Sequence, residues 1–370
     1  MCSSDLPAFQ IGHPAAFQLA QELLAFAGGH FSQAFFTNSG SEAADTALKI
    51  ALAWHHVRGD TRRVRLVGRE RAYHGVGFGG MSVGGIPANR QAFGALLPAV
   101  DHLPHTHAPE HNAFTRGQPR WGAHLADALQ ALVDTHGGES IAAVIVEPVA
   151  GSTGLLVPPA GYLQKLRSIC DRHGILLIFD EVIVAWGRLG KPFASDYFGV
   201  TPDLITTAKG ITNGTVPMGA VLMKEDLYQA FMTGPETAVE LPHGYTYSAH
   251  PLACAAGLGT LKVYEEEGLL TRVGTLEKYW EDAAHSLKDC PNVVDIRNIG
   301  LIAAIELAQR PGAAVGARGL DAHIKAFEKG TYIRVTGDIL ALAPPLIIQK
   351  SEIDQLFASV REVDRKSTRL

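Results

Sequence analysis

Short apolar segments alternate with helix-prone segments along the first 290 residues. The candidate strands are residues 34–37, 64–67, 141–146, 175–179, 204–206 and 219–222, and the candidate helices are residues 42–57, 161–173 and 251–267. This alternation predicts an α/β fold with a mostly parallel sheet and helices on both faces. In such sheets, ligands bind beyond the carboxyl ends of the strands, so those ends are the first place to look for a site.

The pattern changes after residue 290. Residues 293–297, 301–306, 332–335 and 339–343 are candidate strands, and residues 320–329 and 352–364 are candidate helices. We therefore predict a large domain over residues 30–290, a smaller α+β C-terminal domain over residues 291–370, and a connecting segment over residues 1–29. Residues 366–370 break the helical pattern and are expected to fray.

Composition narrows the class of protein. The 370 residues carry a formal net charge of −5 with scattered signs, which gives no reason to expect nucleic acid or a membrane as partner. No apolar run approaches the roughly 20 residues of a membrane span. The cysteines, Cys2, Cys170, Cys254 and Cys290, form no close pair. Widely spaced cysteines favour a cytoplasmic protein with reduced thiols over a disulfide framework.

The sixteen histidines raise the question of a metal site. They are densest in Asp101-His-Leu-Pro-His-Thr-His, where prolines interrupt the segment and His105 and His107 alternate. We interpret this segment as a surface or interface loop, because no rigid element would fix the ligands, and we expect no metal.

Asp180 and Lys209 each follow an apolar, strand-like run. A buried charge is costly unless a partner stabilises it, and pyridoxal 5'-phosphate (PLP) would suit both residues. Its aldehyde forms an imine with a lysine, and its ring nitrogen pairs with a carboxylate. The alternatives are a helix cap for Asp180 and a solvent-reaching lysine for Lys209.

A possible phosphate site lies at Asn38-Ser-Gly-Ser, between a strand and a helix. Gly40 would allow close approach of an anion to the helix N-terminus, and Ser41 is expected to cap that helix. Tyr73 and Val182 could cover the two faces of a cofactor ring. By spacing alone, the turn is equally a capped helix start and the other two are core residues.

These residues fall within motifs that resemble class III PLP-dependent aminotransferases of fold type I, most closely the ω-amino acid (β-alanine):pyruvate subgroup. The matching stretches, in family order, include Phe35-Phe-Thr-Asn-Ser-Gly-Ser-Glu, Arg71-Ala-Tyr-His-Gly-Val, Val146-Glu-Pro-Val-Ala-Gly-Ser, Phe179-Asp-Glu-Val-Ile, Thr207-Ala-Lys-Gly-Ile-Thr-Asn-Gly and Pro242-His-Gly-Tyr-Thr-Tyr-Ser-Ala-His-Pro. The resemblance covers residues 9 to 360.

The resemblance implies a homodimer, or a higher homo-oligomer, with active sites at the subunit interface. It places Gly40 and Ser41 on the cofactor phosphate, Tyr73 and Val182 on the ring faces, Asp180 on the ring nitrogen, and Lys209 as the imine-forming lysine. It also implies that Glu147 belongs to the active-site network, that Thr246 reaches the phosphate of the neighbouring subunit, and that Arg334 binds a substrate carboxylate.

Two positions imply the acceptor substrate. Relatives of the ornithine and γ-aminobutyrate type carry Gln where this chain has Ile183, and a glutamate where it has Ser152. The resemblance therefore implies transfer of an amino group from an ω-amino acid or amine to pyruvate, giving alanine. The cofactor motifs alone leave open a decarboxylase or aminomutase on the same scaffold.

The resemblance also implies a segment of several dozen residues ahead of Ile11. Residues 1–6 and 366–370 fit no family pattern and are interpreted as foreign tails. The corresponding hypothesis is a partial aminotransferase that binds cofactor poorly or is inactive.

Overall fold

A computed structural model describes residues 12–235 and 241–367, with side chains to residue 365. The strands are β1 Gln33–Thr37, β2 Arg65–Arg69, β3 Val100–Leu103, β4 Ile141–Val146, β5 Leu176–Asp180, β6 Leu204–Thr207, β7 Gly219–Met223, β8 Val293–Ile299, β9 Ile302–Leu307, β10 Arg334–Thr336 and β11 Ile339–Leu342. The helices are α1 Pro14–Phe26, α2 Gly40–Val57, α3 Phe78–Val83, α4 Pro109–Asn112, α5 Asp127–His136, α6 Tyr162–His173, α7 Ala194–Phe198, α8 Glu225–Phe231, α9 Pro251–Glu266, α10 Leu269–His285, α11 Ala317–Phe327 and α12 Lys350–Ser367. None of the helices in these ranges combines the length and the hydropathy needed to cross a membrane.

The first seven strands form one sheet in the order β1-β7-β6-β5-β4-β2-β3. Strand β7 runs antiparallel to both of its neighbours, and the pairings from β6 through to β3 are parallel. The predicted α/β class with a mostly parallel sheet is confirmed. Because the parallel strands end at one edge, the loops that follow them meet there.

Both faces of this sheet are covered, and β4 shows why. All six residues of β4 are buried. Val144 and Val146 belong to one apolar core, whereas Ala143 and Ile145 belong to another on the opposite face. Alternate side chains of a strand point to opposite faces, so a continuous apolar run of this length requires helices on both sides.

The last four strands form a separate antiparallel sheet in the order β10-β11-β9-β8. Helices α10 and α12 pack against it through a core that contains Trp280 and Phe357, whose ring centroids are 4.9 Å apart. Residues of α10 contribute to this core although they precede residue 291. The domain boundaries given above stay a prediction.

Several details differ from the sequence-based expectations. The segment that begins at Asp101 was predicted as a loop, but β3 extends through Leu103, because it pairs in parallel with β2 at the edge of the sheet. Within the predicted connecting segment lies α1, whose Leu19 and Leu23 are fully buried. The final helix continues to Ser367, past the predicted break at Lys366. The predicted tail at residues 1–6 lies outside the described residues.

Candidate active site

A cavity of about 330 Å³ lies at the carboxyl ends of the large sheet. Its walls come from the loops that follow β1, β2, β4, β5 and β6. Seven residues predicted for the cofactor site line it, namely Gly40, Ser41, Tyr73, Glu147, Asp180, Val182 and Lys209. The fold therefore brings into one place residues that are as many as 169 positions apart in the chain (209 − 40).

One end of the cavity is the N-terminus of α2. Ser41 does not cap this helix as predicted, because the helix begins at Gly40, two residues before the predicted start. Its cap is Ser39, whose Oγ accepts the backbone N–H of Glu42 at 3.1 Å. A side chain at Gly40 would meet the Val182 methyl groups, with its Cβ only 3.0 Å from both. The helix N-terminus is thus open to an anion on the cavity side.

Ser41 instead ties α2 to the loop after β2. Its Oγ accepts the backbone N–H of Val76 at 3.2 Å. Gly75 has a φ of +90° and lies so close to Ser41 that an added Cβ would lie 2.6 Å from the Ser41 Cα. A glycine is required at this position both by its backbone conformation and by the close approach. This contact sets the position of Tyr73, two residues earlier.

Asp180 is only 6% exposed and has two hydrogen-bond partners among the described residues. One oxygen accepts the backbone N–H of Val182 at 3.1 Å, and the other lies 2.8 Å from His74 Nδ1. The His74 Nε2 atom has no hydrogen-bond partner among the described residues. A proton on Nδ1 therefore satisfies the pair best, because a proton on Nε2 would be a buried donor without an acceptor. Sequence reasoning missed His74, although it directly follows Tyr73 in the motif.

Glu147 joins two walls of the cavity. Its carboxylate accepts the backbone N–H of Tyr73 at 2.9 Å and that of Gly151 at 3.2 Å. Burial raises the pKa of Glu147, and the neighbouring Asp180 acts in the same direction. The side chain thus fixes the backbone of two loops.

Lys209 follows β6 with a φ of +46°, a left-handed conformation uncommon for residues other than glycine. Its side chain is exposed to the solvent in the cavity, but the surrounding walls still remove enough water to lower the pKa of its amine. The carboxylates of Asp180 and Glu147 act against this shift, while the charge of Arg334 adds to it. A lowered pKa increases the fraction of neutral amine, which is the nucleophilic form.

Trp186, another residue that sequence reasoning missed, supports the backbone behind this lysine. Its indole Nε1 donates to Thr207 Oγ1 at 2.8 Å, and its ring stacks on Phe26 at 5.1 Å. The ring also lies against Gly210, where any side chain would overlap it. The residue after Lys209 must therefore be glycine.

Two predicted residues do not line the cavity. Thr246 is exposed on a loop that is held to α2, because Thr46 Oγ1 bonds to His243 at 2.9 Å and to Tyr245 at 3.2 Å. Arg334 is exposed on β10, and its charge is close enough to contribute to the lowered pKa of Lys209. Within the described part of the chain, no hydrogen bond or ion pair engages its guanidinium.

The cavity fits PLP by the chemistry of its groups. It combines an open helix N-terminus for a phosphate, a buried carboxylate for a ring nitrogen, an aromatic ring and an amine with a lowered pKa. The fold and this cavity define a PLP-dependent transferase of fold type I. The chain belongs to the aminotransferase class-III family, whose sequence profile matches residues 6–363.

Individual relatives are close. The chain is 59% identical to an omega-aminotransferase of Caulobacter vibrioides, with 96% of this chain and 81% of the relative covered. It is 50% identical to a beta-alanine–pyruvate aminotransferase of Pseudomonas aeruginosa, with 96% and 80% covered. The chain thus spans about four-fifths of the length of these relatives.

Solved structures agree with this assignment. An amine transaminase from an uncultivated Pseudomonas species, in a PLP-bound form, superposes with a TM-score of 0.89 at 32% identity, and 97% of this chain and 82% of that chain are covered. These likenesses identify a PLP-dependent transaminase. They do not favour a decarboxylase, an aminomutase or an inactive partial enzyme.

Proposed function

We propose that this enzyme transfers an amino group from a β-alanine-like ω-amino acid or an amine to pyruvate, with alanine as the product. The relatives named for omega-amino donors and for pyruvate support this substrate pair. The observation that carries the proposal is the cavity at the strand ends, which both Asp180 and Lys209 line.

PLP, when bound, would supply an aldehyde and an electron-withdrawing ring. Lys209 would hold the cofactor through its neutral amine, and the same amine would serve as the base for the proton on the donor carbon. Asp180 would keep the ring nitrogen protonated. His74, through its 2.8 Å contact with the other carboxylate oxygen, would hold Asp180 in that orientation.

The phosphate would lie at the N-terminus of α2, where Gly40 leaves space and the backbone N–H groups of Gly40 and Ser41 have no partner within the helix. Tyr73 and Val182 would cover the ring faces. We further propose a homodimer in which Thr246 completes the neighbouring site. Its exposure, and its absence from the residues that line the cavity of its own chain, support that role.

Arg334 would bind the carboxylate of the donor. A guanidinium forms two parallel hydrogen bonds with a carboxylate, and the side chain of Arg334 is exposed. A donor without a carboxylate would not need it. Such a device would let one site accept both β-alanine and aromatic amines.

We propose the cytoplasm as the compartment. Cys170, Cys254 and Cys290 are buried free thiols, as expected for a protein in a reducing environment.

The proposal is tested by adding PLP and following the absorbance band near the visible edge, then assaying alanine formed from pyruvate with β-alanine or 1-phenylethylamine. Lys209→Ala should lose the band and reduce the rate by about 10⁴-fold, because nucleophile and base are removed together. The exposed Lys262→Ala is the matched control. Release of carbon dioxide without alanine, or activity retained in Lys209→Ala, would contradict the proposal.

A further inference from the structure

Residues 152–155, called here the carbonyl turn, follow β4 and the cavity residue Glu147. All four of their backbone carbonyl oxygens accept hydrogen bonds from side chains outside the turn. The bonds are Thr336 Oγ1 to Ser152 at 3.1 Å, Arg71 to Thr153 at 2.9 Å, and Arg297 to Gly154 at 2.8 Å and to Leu155 at 3.2 Å. Turn carbonyls usually face solvent, so four successive bonds to side chains mark a segment that is held in place.

Arg297 is the central donor. It lies on β8, is 7% exposed, and directs two of its nitrogens to the carbonyl of Gly154. A third nitrogen bonds to the carboxylates of Asp295 and Glu306, the latter at 2.6 Å. The planar guanidinium can make these bonds at once because its donors are fixed in a fork. The small sheet thus holds the turn through the guanidinium of Arg297, whose positive charge is itself paired with carboxylates.

Gly154 shows how closely the turn is pressed against that sheet. Its φ is +102°, and a Cβ at this position would lie 2.5 Å from the side chain of Ile339 on β11. The conformation requires glycine, and an added side chain would also have to displace the end of Ile339. The turn and β11 are therefore in close contact.

The neighbour of β11 is the edge strand β10, which carries Arg334. This strand has three residues and pairs on one side only, with β11. A further contact of β10 is the hydrogen bond from the Thr336 hydroxyl to the Ser152 carbonyl in the turn. Because side chains two apart in a strand share a face, the face that carries Arg334 is the one held by Thr336.

The carbonyl turn is also bonded to the cavity. The residue before it, Gly151, donates to Glu147, which in turn accepts the backbone N–H of Tyr73. Thr153 Oγ1 donates to the carbonyl of Arg71 at 2.9 Å, two residues ahead of Tyr73. A continuous set of bonds therefore connects the ring-facing wall of the cavity with the strand that carries Arg334.

We propose that the carbonyl turn sets the reach of Arg334 toward Lys209, and that Thr336 and Arg297 are positioning residues that determine specificity for donors with a carboxylate. This inference rests on the proposed role of Arg334. A donor without a carboxylate, such as 1-phenylethylamine, does not use that arginine. Loosening β10 should therefore affect one class of donor and spare the other.

The test is Thr336→Val, which keeps the shape of the side chain and removes the hydroxyl donor. We expect the KM for β-alanine to rise about three- to tenfold, as for one lost hydrogen bond, with kcat and the KM for 1-phenylethylamine within about twofold. Amide hydrogen exchange in residues 334–336 should become faster, a readout that needs no cofactor. Thr135→Val removes a similar hydroxyl-to-carbonyl bond on α5. It should change neither the KM values nor the exchange rates of residues 334–336.

Arg297→Lys is the second variant, because it keeps the charge but loses the fork. It should raise the KM for β-alanine more than Thr336→Val does, and it should again leave the KM for 1-phenylethylamine within about twofold. Arg334→Ala separates the two proposals. If it raises the β-alanine KM while Thr336→Val alters both donors equally or neither, the inference is overturned and the proposed function stands. If Arg334→Ala leaves that KM unchanged, the proposed role of Arg334 fails and the inference falls with it.

Discussion

Two clusters of ionisable side chains, one around Lys209 and one around Arg297, use similar residue types in different ways. In the cavity, Lys209 faces open space of about 330 Å³. In the second cluster, Arg297 lies between Asp295 and Glu306, and the adjoining cavity measures only about 20 Å³.

The second cluster resembles a metal site by distance alone. Ligand atoms of His107, Asp295 and Glu306 lie within 4.8 Å of one another. However, the guanidinium of Arg297 already bonds to both carboxylates and offsets one of their two negative charges. The comparison teaches that residue types do not distinguish a ligand site from a structural one. What distinguishes them is whether the charges are paired within the chain and whether space remains between them.

The largest expected effect is a difference in how much each cluster contributes to stability. Arg297→Met should lower the free energy of unfolding by about 3–5 kcal/mol, because it leaves two carboxylates without their partner. Lys209→Ala, in the absence of cofactor, should change it by less than about 0.5 kcal/mol. Urea unfolding monitored by circular dichroism would measure both. The exposed Arg62→Met is the control, and a loss below about 1 kcal/mol in Arg297→Met would show that the cluster does not stabilise the fold.

Asp180→Asn tests the cavity cluster, where we expect the loss to be in catalytic rate. The amide keeps the size and the contact with the backbone of Val182 but cannot hold a negative charge. We expect kcat to fall by about 10²-fold or more at saturating PLP. Asp134→Asn, on an exposed part of α5, should leave kcat unchanged. A rate close to wild type in Asp180→Asn would remove the aspartate from the proposed mechanism.

The smallest effect concerns pH. Burial and the charge of Arg297 lower the pKa of His107 to about 4, with Arg71 adding to the shift and Glu306 and Asp295 opposing it. The folded state then binds a proton less readily than the unfolded chain. Stability should be complete above about pH 6.5 and should fall as the pH drops toward 4, by at most about 3 kcal/mol.

His107→Gln should flatten this part of the stability curve, measured by urea unfolding between pH 7 and 4. The exposed His56→Gln serves as the control. An equal slope in the His107 variant and the wild type would assign the pH dependence to other groups.

Continuous apolar runs made much of the large sheet predictable. Residues 141–146 were predicted as a strand and form β4 with the same bounds, because a run buried on both faces has few alternatives. Strand β3 was missed, since Asp101 and His102 break the apolar pattern and only its pairing with β2 reveals it. The helix cap was misplaced because serines flank Gly40 on both sides, and only the backbone geometry selects Ser39.

The site was predictable where it follows strand ends. Asp180 and Lys209 both lie there, so the fold class alone brings them together. The residues that hold the cavity loops in place were not predictable, because their contacts join distant parts of the chain. The bond from Arg297 to Gly154 spans 143 positions, and no local pattern marks either residue as the partner of the other.

The order of the large sheet has a consequence for synthesis on the ribosome. Strand β1 is the first to be made, yet within the sheet it pairs only with β7, the last to be made. At about 5–20 residues per second, the interval between them is on the order of ten seconds or more. During that time β1 has no partner strand in the sheet. The N-terminus of α2, which follows β1 and forms the proposed phosphate site, therefore cannot take up its final position. The nascent chain would therefore gain its capacity to hold a cofactor in one late step, after the other strands have already aligned.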